Sequence, residues 1–305
     1  MLWDSMPEPI DCLKIRSLDR RSFVRAWLVT AAAAGVNAAC RKYPLERNFS
    51  VERGLHYGPD ADQVVDVWLP YIRWGTDTPA AIVWHGGGWV EGVRSDMEEV
   101  LCRPLLARGL VVVNAEYRKA PGTRAPAAVQ DARAAAAWFY SQARRWRVDA
   151  SSLIYGGVSA GAHLALMAGI APESARFGPA PRPLSILNLW GPSDLTALLA
   201  HQRAASIVRN WFPPGQTSED EARMARELSP LTYVRAGLPS VLSIHATGDP
   251  IIPFSQSTSL DRALRASSNQ STLVALAQDR HAPKDWTEVA KALKSHLDDT
   301  LADRD

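Results

Sequence analysis

From about residue 60 onward the chain alternates short, nearly continuous apolar runs with amphipathic stretches, and that rhythm limits the possible folds more than any other feature. The runs are "VVDVWL" (64–69), "AAIVWH" (80–85), "LVVVNAEY" (110–117), "SLIYGG" (152–157), "LSILNLW" (184–190), "SVLSIHA" (240–246) and "STLVALA" (271–277). Strands apolar on both faces need helices on both sides, and strand alternating with helix implies parallel pairing. Residues 125–146 give the clearest helix, with Ala, Val, Trp and Phe at helical spacing and arginines at the end where the helix dipole favours cations. Further helices are expected at 160–170, 255–267 and 283–302. The strands near 48–57 and 64–69 have no helix between them and should open the sheet as an antiparallel hairpin. The expectation is an α/β fold with a largely parallel, doubly wound sheet. Residues 191–236 break the rhythm with a polar, helical insertion holding Pro213-Pro214-Gly215; placed beside a sheet edge, it reads as a cap over a site or a surface excursion.

The 305 residues suffice for one large α/β domain or two small ones. A net charge of +2 with scattered Lys and Arg gives no case for a nucleic-acid surface, and no nucleic-acid partner is expected. Cys12, Cys40 and Cys102 have neither metal-ligand nor CxxC spacing, so neither disulfides nor a zinc site is expected. The segment "DRRSFVRAWLVTAAAAGVNAAC" (19–40) sets Arg20-Arg21 before an alanine-rich run, Ala26 to Val36, far short of the roughly 20 residues of a membrane span. Basic front, short apolar middle and small residues at the end point to an export signal within residues 1–40, of twin-arginine type, with the folded α/β domain at 41–305. A helical extension on a cytoplasmic protein is the alternative.

Gly157-Val158-Ser159-Ala160-Gly161 fits the G-x-S-x-G elbow and falls where that motif must, after a strand and before a helix. The tight turn needs small neighbours and holds the serine clear at the sheet's C-terminal edge. A serine hydroxyl is a weak nucleophile until a base takes its proton. Where such an elbow is catalytic, acid and then histidine follow in chain order. That order removes His56, His85 and His163. His201 precedes any suitable acid, His245 sits inside an apolar strand as a core histidine, and His296 is placed on the solvated side of the final helix. His281, in the loop after the last strand, remains. Asp249, in a Gly-Asp-Pro turn after the preceding strand, is the acid; Asp194 is read as a helix cap. His85-Gly86-Gly87-Gly88-Trp89 ends a strand in glycines that let backbone amides approach an oxyanion, so Gly87, Gly88 and Ala160 are the expected donors. Trp89, beside them, is the candidate substrate-binding wall, with filler packing as the other reading.

Together "HGGGW", "AEYRKAPGTRAPAAVQDARAA", "GVSAGAHLA" and "TGDPIIPFSQS" resemble α/β-hydrolase carboxylesterases, most closely the bifunctional feruloyl/acetyl-xylan esterase-like group and its hormone-sensitive-lipase-like relatives. The resemblance implies an α/β-hydrolase fold and a serine esterase acting on short-chain or carbohydrate-linked esters. Ser159, Asp249 and His281 form its triad, Gly87, Gly88 and Ala160 its oxyanion hole, and Tyr117, Arg118 and Asp131 its scaffold. No cofactor is implied, and the partner is a small-molecule ester. The chain departs from the pattern at Gln278-Asp279-Arg280, where glycine is usual near the histidine. An arylformamidase or peptidase-type amide hydrolase is the alternative, and a catalytically inactive binding module is a third reading.

Overall fold

The computed structural model describes residues 49–71 and 78–302. The export-signal expectation, with Arg20-Arg21 and Cys40, lies outside these residues. Eight strands form one sheet: β1 (Phe49–His56), β2 (Val64–Pro70), β3 (Thr78–Trp84), β4 (Val111–Ala115), β5 (Val148–Val158), β6 (Ser185–Leu189), β7 (Ser240–Ala246) and β8 (Ser271–Leu276), in the order β1-β2-β4-β3-β5-β6-β7-β8. β1 and β2 pair antiparallel, as do β2 and β4; every later pairing is parallel.

The apolar runs become strands because each presents residues alternately to two cores. On β3, Ala80, Ile82 and Trp84 face one side, and Ala81 and Val83 the other. The first side is covered by α2 (Ala127–Gln142), α3 (Ala160–Ile170) and α7 (Ser255–Ala266), through residues such as Phe139, Leu164 and Leu260. The second is covered by α8 (Thr287–Leu301) and by the β3–β4 crossover, which contains two irregular helical turns (Arg94–Met97 and Glu98–Cys102) and α1 (Arg103–Leu106). That crossover was not legible as a helix. It changes hydrogen-bonding pattern twice within thirteen residues and carries Pro104, so no single period runs through it.

The insertion at 191–236 holds α4 (Leu195–Leu199), α5 (Ala204–Trp211), α6 (Ser218–Glu227) and a 3-10 turn (Pro230–Tyr233). It is tied down at both sides. Buried Gln256 of α7 accepts from the amides of Ser193 and Asp194 at 2.8 and 2.7 Å. The Ala125 amide donates to Trp211 O at 3.1 Å. Asp194 caps α4 as expected, its Oδ1 accepting from the Ala197 amide. Among the described residues no helix is long and apolar enough to cross a membrane.

Candidate active site

Ser159 joins β5 to α3 with φ 53° and ψ −121°, a left-handed conformation that a β-carbon resists. The surroundings hold it there. Its amide donates to Leu189 O at 2.9 Å, and its carbonyl accepts from the His163 amide. The helix can start this close to the strand only because Gly161 and Gly157 lack side chains: a Cβ on Gly161 would stand 2.0 Å from Trp84 O, and one on Gly157 2.4 Å from Gly161 C. The spacing Gly157-x-Ser159-x-Gly161 is therefore a packing requirement of strand, turn and helix, and it leaves Ser159 half-buried at the edge.

Two loops at the same sheet edge reach that serine. The loop after β8 brings His281 Nε2 to 2.8 Å from Ser159 Oγ. The loop after β7 brings Asp249 Oδ2 to 2.7 Å from His281 Nδ1. Burial pushes the Asp249 carboxyl up, but hydrogen bonds from His245 and His281, the charge of His281 and the Ile251 amide together hold it well below the usual carboxylate range. An ionised Asp249 only accepts, so His281 Nδ1 carries its proton and Nε2 is free to accept from the serine hydroxyl. Ser159, His281 and Asp249 are thus brought together in hydrogen-bonded sequence from three separate loops.

The glycine loop lies against the elbow: a Cβ on Gly86 would stand 3.4 Å from Ser159 Cβ. Gly87 and Gly88 both have positive φ, 107° and 58°. Among the described residues no hydrogen bond takes up the amide N–H of Gly87, Gly88 or Ala160, which leaves these donors open beside the serine. The loop is held from behind. Tyr117 Oη lies 3.1 and 3.2 Å from His85 O and Gly86 O, and its ring stacks on His85 at 4.3 Å. His85 Nε2 is 2.7 Å from Glu116 Oε1, and Glu116 also accepts from Lys119 Nζ. Burial raises the Glu116 carboxyl, but these two partners outweigh it and bring it down to about 2. Arg118 grips buried Asp131 through Nε and Nη2, consistent with the scaffold reading of Tyr117, Arg118 and Asp131.

Two expectations are corrected. Trp89 does not wall the site: it is 1% exposed, stacked on Trp211 of α5 at 4.4 Å and edge-on to His163 at 5.1 Å. The indole is packed rather than presented to the site, so the filler reading holds. The side chain of α5 that does meet the glycine loop is Ile207, whose Cγ2 would stand 2.9 Å from a Cβ on Gly88. His296 is half-buried rather than solvated; its Nε2 lies 2.6 Å from the buried Ser185 Oγ on β6. His245 is a core residue, as read, but it also reaches Asp249, a contact that apolar periodicity along a strand does not reveal. Among the described residues no ion pair joins Asp279 to Arg280; Asp279 instead packs its backbone against Gly248.

This strand order, with a serine elbow after β5, an acid after β7 and a histidine after β8, defines the α/β-hydrolase class. The solved structures agree on the fold. A truncated carbohydrate esterase from gut microbiota superposes with TM-score 0.74 at 20% identity, covering 85% of this chain and 99% of that one. Esterase B from Lactobacillus rhamnosis, in a C4-C4 tributyrin phosphonate-inhibited form, superposes with TM-score 0.74 at 21% identity over 93% of this chain and 96% of that one. Residues 65–264 match the BD-FAE family model, and the chain belongs to that family. Esterase LipC of Mycobacterium tuberculosis (strain ATCC 25618 / H37Rv) is 28% identical over 227 residues, 72% of this chain and 56% of LipC. The chain spans about half the length of such curated relatives.

Proposed function

We propose that the protein is a serine esterase that hydrolyses short-chain or carbohydrate-linked carboxylic esters through an acyl-enzyme on Ser159. The observation that carries this reading is the unbroken relay Ser159 Oγ–His281–Asp249 at 2.8 and 2.7 Å, set beside the unclaimed amides of the glycine loop. In the first half-reaction Ser159 Oγ bonds to the ester carbonyl carbon while its proton passes to His281 Nε2. The negative charge developing on the carbonyl oxygen falls to the amides of Gly87, Gly88 and Ala160, and Asp249 stabilises the imidazolium without itself taking the proton. His281 then returns the proton to the leaving alcohol. Water, deprotonated by His281, cleaves the acyl-enzyme, and the carboxylic acid departs as Ser159 regains its proton.

The carbohydrate esterase and Esterase B neighbours, together with LipC, support an ester rather than an amide substrate. Ile207 over Gly88 supports a short acyl group, because it restricts space beside the carbonyl. The arginine pair and short apolar run of residues 19–40 support export; periplasmic fractions of cells making the full chain should contain the protein, and their lacking it would refute export. Activity is tested with a panel of aryl acetate, butyrate and octanoate esters, acetylated xylo-oligosaccharides and N-formyl aromatic amides. Acetate or butyrate esters should be turned over fastest, and Ser159→Ala should lose about four or more orders of magnitude in kcat. Preference for the formyl amides would replace the esterase reading with the amidase one.

A further inference from the structure

We propose that His245 is a positioning residue for the triad: it orients the Asp249 carboxylate toward His281 and shares its charge, and so tunes how readily His281 accepts the Ser159 proton. This rests on the reading of Ser159, His281 and Asp249 as a triad.

A carboxylate offers about four acceptor positions, and on Asp249 all four are used. Oδ1 accepts from the amides of Ile251 and Ile252 at 2.8 and 3.0 Å. Oδ2 accepts from His281 Nδ1 at 2.7 Å and from His245 Nε2 at 3.2 Å. His245 is fully buried at the end of β7, with the ring of Phe254 edge-on to it. Its Nε2 also lies 2.9 Å from Ile252 O, and its Nδ1 lies 2.7 Å from Ser257 Oγ on α7. The partners fix the tautomer: Ile252 O and the carboxylate only accept, so Nε2 bears the hydrogen and Nδ1 accepts from the Ser257 hydroxyl. The relay therefore extends from Ser257 through His245 and Asp249 to His281 and Ser159.

A histidine needed only for packing would be satisfied by Ser257 and Ile252. The third contact falls on the very oxygen that His281 uses. Two N–H donors on one oxygen divide its charge, so removing one leaves more of it facing His281 and favours the imidazolium. The polar groups facing this pair are Asp249 and His281 from their loops, Ser257 from α7 and Ser159 from the elbow. Asp279 and Arg280 precede His281 in the chain, and among the described residues neither forms an ion pair with it or with Asp249.

The test compares His245→Phe, His245→Gln and Ser257→Ala with wild type. It reads kcat and kcat/KM on an aryl acetate against pH, the fluorophosphonate labelling rate of Ser159, and thermal unfolding. For His245→Phe, kcat should fall about 10- to 100-fold with KM little changed, and the acidic limb of kcat/KM should move up by about half a pH unit or more. Glutamine, which places an N–H near the position of Nε2, should restore most of kcat and return the limb. Ser257→Ala should shift both in the same direction by less. A His245→Phe enzyme with wild-type kcat and limb overturns the proposal, as does a loss of kcat with an unmoved limb that glutamine fails to restore. If the phenylalanine variant does not fold, Ser257→Ala decides: unchanged kcat and limb overturn the proposal. Wild-type protein that fails to label at Ser159 sinks the triad reading itself, whereas a labelled wild type with unaltered variants sinks only the role of His245.

Discussion

At the residue scale the site depends on where side chains are missing as much as on where they are present. Gly161 allows α3 to start against the backbone of β3, and a Cβ there would strike Trp84 O at 2.0 Å and His85 O at 2.4 Å, neither of which can move without disturbing the sheet. Gly161→Ala should therefore destabilise the protein by about 3 kcal/mol or more, visible as a large fall in unfolding midpoint. Ser159→Ala, which adds no atom, should leave that midpoint within a few degrees of wild type. The elbow was legible in the sequence because steric need and chemical need select the same pentapeptide. Trp89 was legible only as a neighbour of the site. Its burial is made by Trp211 and His163, residues far away in the chain, which no residue count or spacing announces. His245 left a faint signal, a histidine four residues before the acid across a strand end, but the loop has to fold back before the two meet.

At the element scale the strands and the long helices were legible because each carries its own period, and the three loops that carry Ser159, Asp249 and His281 follow from their order. The insertion was legible as helical but not in its contacts, which are made by residues far apart in the chain. α5 sends Trp211 against Trp89 and Ile207 against Gly88, so one face of one helix backs the glycine loop and covers it. Truncating Ile207 opens space beside Gly88 without touching Ser159, Asp249 or His281. Ile207→Ala should raise the octanoate-to-acetate ratio of kcat/KM by about tenfold, the scale of a few methylenes in an apolar pocket. An unchanged ratio would place the acyl chain on another side of the serine.

For the whole molecule, His163 joins the parts. It lies on α3 one turn after Ser159, meets Trp89 and Trp211 edge-on, and its Nε2 lies 2.7 Å from Leu228 O at the end of α6. Burial pushes its imidazolium down to about 4 from 6.5, against the opposing effect of the Leu228 carbonyl. The unfolded chain thus takes up a proton that the folded one refuses, and stability falls as pH drops from 6.5 to 4, by roughly 3 kcal/mol from this group. Glu116 acts in a lower window: its contribution is complete above 4.5 and is lost as pH falls toward about 2. Urea unfolding at pH 7 and pH 4.5 should therefore show a smaller drop for His163→Gln than for wild type, and equal drops would contradict this assignment.

On the function proposed above, fold, elbow and relay together make Ser159 a nucleophile. The most direct measurement is reaction of the folded protein with a fluorophosphonate, followed by mapping of the labelled peptide. Labelling should be stoichiometric on Ser159 and abolished by His281→Ala. Folded protein that stays unlabelled, or labels equally well without His281, would contradict it.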